Sequence, residues 1–138
     1  MKELSCGIII INSNNQILGC KAGGMSGLLL DIPKGHIEEG ESEIDCAIRE
    51  TFEETGINVL KETLIDLGKF EYIKKKDLHL FKCNYDIENL SKLFCSTYRI
   101  TKKGTKVPEV IRYEWINIDN LENKFYFSLE KVLKQILW

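Results

Sequence analysis

The sequence lacks a close cysteine pair, a long apolar run and any strong imbalance of charge. Its five cysteines, at 6, 20, 46, 83 and 95, form no C-x-x-C unit, and their number is odd. That pattern argues against a zinc ribbon and against a disulfide framework. Free thiols in a reducing cytosol are expected. The longest purely apolar stretch near the N-terminus covers only residues 8–11, far short of the roughly 20 residues a membrane-spanning helix needs. No basic n-region or small-residue cleavage site accompanies it, so no signal peptide and no membrane partner are expected, and the expected location is cytoplasmic. Nineteen Lys and Arg stand against 21 Asp and Glu, a net charge of −2. There is therefore no global basic field of the kind a general nucleic-acid binder carries. Internal repeats and low-complexity segments are absent as well.

What is present suits one soluble domain over residues 1–138, with 43% hydrophobic and 29% charged residues. Residues 4–11 are apolar and rich in β-branched side chains, which reads as a buried strand. Asn12-Ser13-Asn14-Asn15 is a turn cluster, and residues 16–22 resume strand character, so the two form a hairpin. Residues 23–27 read as a flexible loop. Residues 28–32 are a short apolar run that stops at Pro33, and residues 33–40 read as a loop. A helix should follow, with Ser42 as N-cap, Asp45 three residues later and Gly56 just past its end. Ile44, Ala47, Ile48, Thr51 and Thr55 share one face of it, expected to pack on a sheet. Further strands are expected over about 64–73, 78–85 and 111–116. Between them, residues 86–108 hold a polar linker, a short strand within 95–101 and the turn Lys102-Lys103-Gly104. Residues 128–137 read as an amphipathic helix with Leu129, Val132, Leu133, Ile136 and Leu137 on its apolar side. The order of elements predicts an α/β (α+β) sandwich with a mixed central sheet between helices.

The chemistry is concentrated in residues 35–57, GHIEEGESEIDCAIRETFEETGI. Glu50, Glu53 and Glu54 stand at i, i+3 and i+4 and are neighbours on one helical surface. Like charges so placed repel, and a solvated face would normally intersperse lysines. The one cation within reach is Arg49, four residues before Glu53. Clustered carboxylates on a rigid element beside a glycine loop suit a hard divalent ion with oxygen ligands. Such an ion can polarise a phosphoryl oxygen and generate a hydroxide nucleophile.

The wider spacing resembles the signature of the Nudix hydrolase family, G-x5-E-x7-R-E-U-x-E-E-x-G-U with U bulky and aliphatic. Gly35, Glu41, Arg49, Glu50, Glu53, Glu54, Gly56 and Ile57 fall in place, while Thr51 departs from the pattern at the first U. The resemblance implies an α/β/α sandwich and a magnesium-dependent pyrophosphohydrolase, with manganese as an alternative ion. It implies Glu50, Glu53 and Glu54 as metal ligands, with a backbone carbonyl near Lys34 completing the shell, and Arg49 as their orienting partner. Glu53 and Arg49 thereby join the catalytic set, and Gly35, Glu41 and Gly56 become structural residues of the loop and helix. The resemblance also suggests a further carboxylate outside the signature. Glu109 in P-E-V-I-R-Y-E-W is the candidate for binding a second ion or deprotonating the attacking water; Glu114 competes, but its mid-strand position reads as surface.

Lys34, in Pro33-Lys34-Gly35-His36, is the candidate substrate-binding residue. That tetrapeptide resembles the branch acting on dinucleoside or diphosphoinositol polyphosphates, and an ammonium there could neutralise an extra phosphate. A nucleotide such as diadenosine tetraphosphate is the leading small-molecule partner. The 5′ end of a triphosphorylated RNA or a free nucleoside triphosphate is the alternative, and a non-catalytic nucleotide sensor is a third reading that the intact signature disfavours. The lysine clusters 74–76 and 102, 103 and 106 read as solvated turns or as polyphosphate contacts. Tyr72, Phe81, Tyr98 and Tyr113 read as core or as a base-stacking surface. His36, His79 and Cys46 carry no expected catalytic role. The odd, scattered cysteines make a direct prediction: thiol titration of freshly purified protein, denatured without reductant, should find all five groups, and a count of one or three would mean that disulfides exist.

Overall fold

Four consecutive isoleucines, residues 8–11, are buried in β1 (Glu3–Ile11) because both faces of that strand are covered. Side chains alternate across a strand. Cys6, Ile8 and Ile10 therefore enter one hydrophobic cluster, with Leu18, Cys46, Ala47, Ile57, Phe81 and Cys83. Ile9 and Ile11 enter a second, with Ile17, Leu78, Leu80, Leu129, Val132 and Leu133. Each fully buried aliphatic side chain contributes roughly 1.5–3 kcal/mol, so a strand apolar on both faces is a strong determinant of a three-layer fold. The computed structural model describes residues 2–137. Its remaining elements are β2 (Gln16–Ala22), β3 (Lys34–His36), α1 (Glu43–Thr55), β4 (Ile65–Ile73), β5 (Lys76–Asn84), β6 (Tyr98–Ile100), β7 (Lys106–Pro108), β8 (Val110–Asn117) and α2 (Phe127–Ile136). α1 covers the first cluster and α2 the second, giving the α/β/α sandwich with a mixed sheet.

The strand order is β4-β5-β1-β2-β8, with β3 also on β1. β1 runs parallel to β5 along its whole length, Glu3 opposite Lys76 and Ile11 opposite Asn84. β1 and β2 pair only at Ile11 and Ile17, and then diverge. Residues 31–36 fill the gap. Asp31 exchanges two backbone hydrogen bonds with Cys20 of β2, at 2.7 and 2.8 Å, and Ile8 of β1 donates to Pro33 at 3.2 Å. β3 then pairs antiparallel with β1, Cys6 opposite Gly35. The segment read as a loop from sequence is thus partly a strand. Three residues are too few to show a period, and their conformation comes from the open edge they fill. β6 and β7 form a separate two-stranded hairpin.

The helix begins and ends where expected. Ser42 Oγ accepts from the Asp45 amide at 3.2 Å, and Gly56 takes φ 80°, a left-handed conformation that glycine adopts without strain. Its buried residues are Cys46, Ala47, Thr51, Glu54 and Thr55, while Ile44 and Ile48 are only partly covered. The buried face therefore holds the expected Ala47, Thr51 and Thr55 together with Cys46 and Glu54, and it carries a carboxylate into the interior. Lys76 belongs to β5 rather than to the preceding turn, and the strand expected within 95–101 is only Tyr98–Ile100. Among the described residues, all five cysteines are free and no helix is long and apolar enough to cross a membrane.

Thr51 explains the cost of departing from the aliphatic pattern. It is fully buried, and its hydroxyl has no hydrogen-bond partner among the described residues. Valine has the same branching without the hydroxyl. Thr51→Val should stabilise the protein by about 1 kcal/mol in denaturant titration. A loss of stability would show that the hydroxyl is satisfied after all.

Candidate active site

The signature loop and α1 are tied together by one guanidinium. Arg49 Nε donates to Glu41 Oε2 at 2.7 Å and Nη2 to Glu41 Oε1 at 3.0 Å, a two-pronged pair. Nη2 also donates to the His36 carbonyl at 3.1 Å, which fastens α1 to β3. Nη1 reaches Glu50 Oε2 at 2.8 Å and Glu53 Oε2 at 3.1 Å. Glu41 in turn accepts from the Glu38 amide at 3.1 Å, closing the loop. The hydrogen bond from Arg49 holds the Glu41 carboxyl below its ordinary value despite partial burial. Glu41 raises the Arg49 pKa by the same contact, with Glu53 and Glu50 adding to it.

Gly35 is required by close approach. A Cβ built there would lie 2.1 Å from the Glu50 carboxyl carbon and 2.2 and 2.4 Å from its oxygens. The carboxylate thus rests directly against the β3 backbone. Burial pushes the Glu50 pKa up, Arg49 opposes that, and Glu53 and Glu109 reinforce it.

Glu54 is the most unusual group. It is 7% exposed, and among the described residues its carboxylate has no hydrogen-bond or ion-pair partner. Burial, followed by the nearby charges of Glu50, Asp31 and Glu109, pushes its pKa up to about 10, with Lys34 pulling the other way. Tyr113 holds the backbone here by donating its hydroxyl to the Glu54 carbonyl. Glu54 lines a pocket of about 150 Å³ with Cys20, Asp31, Lys34, Arg99 and Glu109. An adjoining cleft of about 370 Å³ is lined by Lys34, Gly35, Glu50, Lys76 and Glu109 among others. Glu109 and Lys34 line both, Glu54 lines the first and Glu50 the second, while Glu53 and Arg49 line neither. A larger cavity of about 490 Å³ lies at the β4–β5 turn, lined by Lys2, Tyr72, Lys74, Lys75 and Lys131 among others, and holds none of these carboxylates.

Lys34 is not a free cation. Its Nζ lies 3.0 Å from Asp31 Oδ2 and 5.3 Å from the centre of the Tyr72 ring. Burial disfavours its charge, but Asp31, Tyr72 and Glu54 together more than offset this and raise the pKa above the usual lysine range. Glu114 pairs with Arg112 on an exposed strand face at 3.0 Å. His36 is exposed beside Glu3, and His79 pairs with Asp66 at 2.7 Å and stacks on Phe81. Cys46 is a buried filler whose thiol donates to the Gly35 carbonyl at 3.5 Å. Asp31 and Arg99 escaped the sequence reading. Neither belongs to a motif, and both reach the pocket through tertiary pairing.

The donor set fits a hard divalent ion. Glu54 lines a pocket with Asp31 and Glu109, and Glu50 lines the adjoining cleft with Glu109; oxygen ligands of this kind suit magnesium or manganese. Among the described residues no three candidate ligands already converge to metal-binding distance. Arg49 supplies the counter-charge to Glu50 and Glu53 instead.

The family model for the NUDIX domain matches residues 1–136. The chain is 37% identical over 119 residues to an uncharacterised 17.7 kDa protein of Enterobacteria phage T4, covering 80% of this chain and 79% of that one. It is 28% identical over 123 residues to the RNA pyrophosphohydrolase of Hamiltonella defensa, covering 83% and 74%. A match to the asymmetrical bis(5′-nucleosyl)-tetraphosphatase of Mus musculus reaches 50% identity, but over 34 residues, 25% and 23% of the two chains. The fold is shared with a solved Caenorhabditis elegans Ap4A hydrolase, at a TM-score of 0.62, 21% identity and coverage of 95% and 93%. The chain belongs to the Nudix family, and it is a pyrophosphohydrolase by class. Hydrolases of this family use divalent metal ions.

The Arg49–Glu41 contact makes a pH-dependent prediction. The folded Glu41 pKa lies below its ordinary value of about 4.5. Its contribution is therefore complete above that value and is lost as pH falls through the depressed one. Wild type should exceed Glu41→Gln in stability by roughly 1.5–3 kcal/mol at neutral pH. The gap should close in acid, as followed by denaturant titration across pH; a gap independent of pH would contradict the assignment.

Proposed function

We propose that this enzyme hydrolyses a phosphoric anhydride bond in a nucleoside polyphosphate, with a dinucleoside polyphosphate such as diadenosine tetraphosphate as the leading substrate. The observation that carries the hydrolase site is the meeting of Glu54, Glu109 and Lys34 at one small pocket, with Glu50 in the adjoining cleft. Glu50, Glu53 and Glu54 would hold magnesium, or manganese in its place. Bound there, the ion supplies charge neutralisation for the phosphoryl oxygens and lowers the pKa of a water. Arg49 keeps Glu50 and Glu53 oriented, and Glu41 keeps Arg49 in place. Glu109 lies outside the Arg49 network and accepts the proton of the attacking water, with Glu53 as the other candidate base. Water adds to phosphorus, the anhydride P–O bond breaks, and two phosphate-ended products leave.

The substrate branch rests on Pro33-Lys34-Gly35-His36 and on the local likeness to the mouse tetraphosphatase. Lys34 is fixed by Asp31 at the pocket wall, where its ammonium would meet a phosphate beside the metal-bound pair. A second reading, removal of diphosphate from the 5′ end of RNA, is favoured by the longer match to the Hamiltonella enzyme. The unpaired thiols suit a cytoplasmic enzyme.

A metal-dependent hydrolysis panel of diadenosine tetraphosphate, triphosphorylated RNA, nucleoside triphosphates and ADP-ribose decides among these. Magnesium-dependent turnover should be highest on the tetraphosphate. Glu54→Gln should lower turnover by about 100-fold or more. A wild-type rate in that variant would remove Glu54 from the metal site, and a preference for RNA or ADP-ribose would overturn the substrate reading.

A further inference from the structure

Among the described residues, Arg99 is the one cation lining the small carboxylate pocket without a fixed partner. It is the central residue of β6, and strand alternation separates it from its neighbours. Tyr98 and Ile100 point outward, 55% and 64% exposed, while Arg99 is half-buried and lines the pocket with Asp31, Lys34, Glu54 and Glu109. Among the described residues its side chain makes no ion pair and no hydrogen bond. Lys34, which shares the small pocket, is committed to Asp31 at 3.0 Å, and Arg49 is committed to Glu41, Glu50 and Glu53; Lys76 lines the adjoining cleft and not this pocket.

The hairpin bearing Arg99 is rooted in the site itself. The Phe94 amide donates to the Thr55 carbonyl at 3.2 Å and the Ser96 amide to the Glu53 carbonyl at 2.8 Å. Ser96 Oγ adds a second bond to the Glu53 carbonyl at 3.1 Å. These bonds use the free carbonyls of the last turn of α1, the turn that carries Glu53 and Glu54. On its other side, the Glu109 amide donates to the Thr97 carbonyl at 3.0 Å, and the Gly23 amide donates to the Glu109 carbonyl at 3.0 Å. Arg99 is thus held in register with both the α1 carboxylates and Glu109.

We propose that Arg99 is a substrate-binding residue, its guanidinium taking two oxygens of a phosphate group seated in the pocket beside the scissile anhydride. The inference rests on the polyphosphate hydrolase reading above. A guanidinium fork matches the spacing of phosphate oxygens and retains its charge in every relevant state. Phosphate is the ligand class that fits the uncommitted fork, since an anion entering beside Asp31, Glu54 and Glu109 needs positive charge at the pocket wall. Lys34 shares its charge with Asp31 at 3.0 Å, so Arg99 is the cation of this pocket whose full fork is free to supply it.

Two measurements separate this proposal from the substrate reading. Calorimetric binding of inorganic tripolyphosphate, with magnesium present, tests Arg99 without any turnover. Arg99→Ala should weaken that binding by about 10- to 100-fold, and Arg99→Lys should recover only part of the loss. On diadenosine tetraphosphate, Arg99→Ala should act chiefly on KM, and added guanidinium ion at concentrations too low to denature should restore part of the activity. Arg112→Ala, which removes an exposed pair with Glu114, should leave both measurements unchanged. Thermal midpoints and Arg99→Gln guard against misfolding. Equal tripolyphosphate affinity in wild type and a folded Arg99→Ala or Arg99→Gln variant would overturn the Arg99 assignment. Absence of tetraphosphate hydrolysis by wild type, with tripolyphosphate binding still dependent on Arg99, would overturn the substrate alone.

Discussion

Arg49 sits where three carboxylates would otherwise push the signature apart. Two unit charges 4 Å apart interact with about 4 kcal/mol at an effective dielectric of 20, so Glu41, Glu50 and Glu53 could not share this surface uncompensated. One guanidinium meets all three, at 2.7, 2.8 and 3.1 Å, and a fourth contact reaches the His36 carbonyl. The same atom group therefore sets side-chain positions and joins two backbone elements. A lysine has a single ammonium and no fork, and could not make these contacts together. The loop, the angle of α1 against β3 and the direction of Glu50 all follow from this clamp.

The clamp is useful because the sheet opens beneath it. β1 is fully paired with β5 on one side, but on the other it meets β2 at a single position. The unpaired backbone between them is satisfied by residues 31–36. That wedge brings Asp31, Lys34 and Gly35 to the mouth of the opening and leaves Gly35 close enough to touch the Glu50 carboxylate. The β8 edge adds Val110 and, just before it, Glu109, through pairing with β2. Two strands that diverge thus create the space into which helix and loop carboxylates project.

Much of this was legible in the chain. The cap at Ser42, the stop at Gly56 and the eight signature residues mark α1 and its chemistry, because helix ends and helical spacing are local properties. The hairpin of β1 and β2 follows from its turn cluster and its alternation. What was not legible depends on distant partners. Lys34–His36 has no periodicity of its own, and its strand conformation is imposed by β1. Lys34 shows its charge in the sequence but not its attachment to Asp31. Helical spacing put Ala47, Thr51 and Thr55 on the packed face, where they are buried, and Ile44 and Ile48 pack at its margin; it did not show that Cys46 and Glu54 are buried beside them. Arg99 lies in a stretch whose sequence shows no clear pattern, and only its pairing with β7 and its bonds to α1 bring it to the pocket.

Glu54 is the point where stability and function part. A carboxylate held largely out of water without a partner is disfavoured when charged, and here Glu50, Asp31 and Glu109 add to that while Lys34 opposes it. A glutamine or methionine at that position would suit the fold better. Local conflicts of this kind concentrate at functional sites, where the compensation comes from something that binds. A divalent cation held by these oxygen ligands would turn their mutual repulsion into shared attraction. Positive charge at the pocket rim would then no longer be needed to balance them and would be available to an anion. The grouping of carboxylates that raises the Glu54 pKa is therefore the grouping that would suit a metal–phosphate pair.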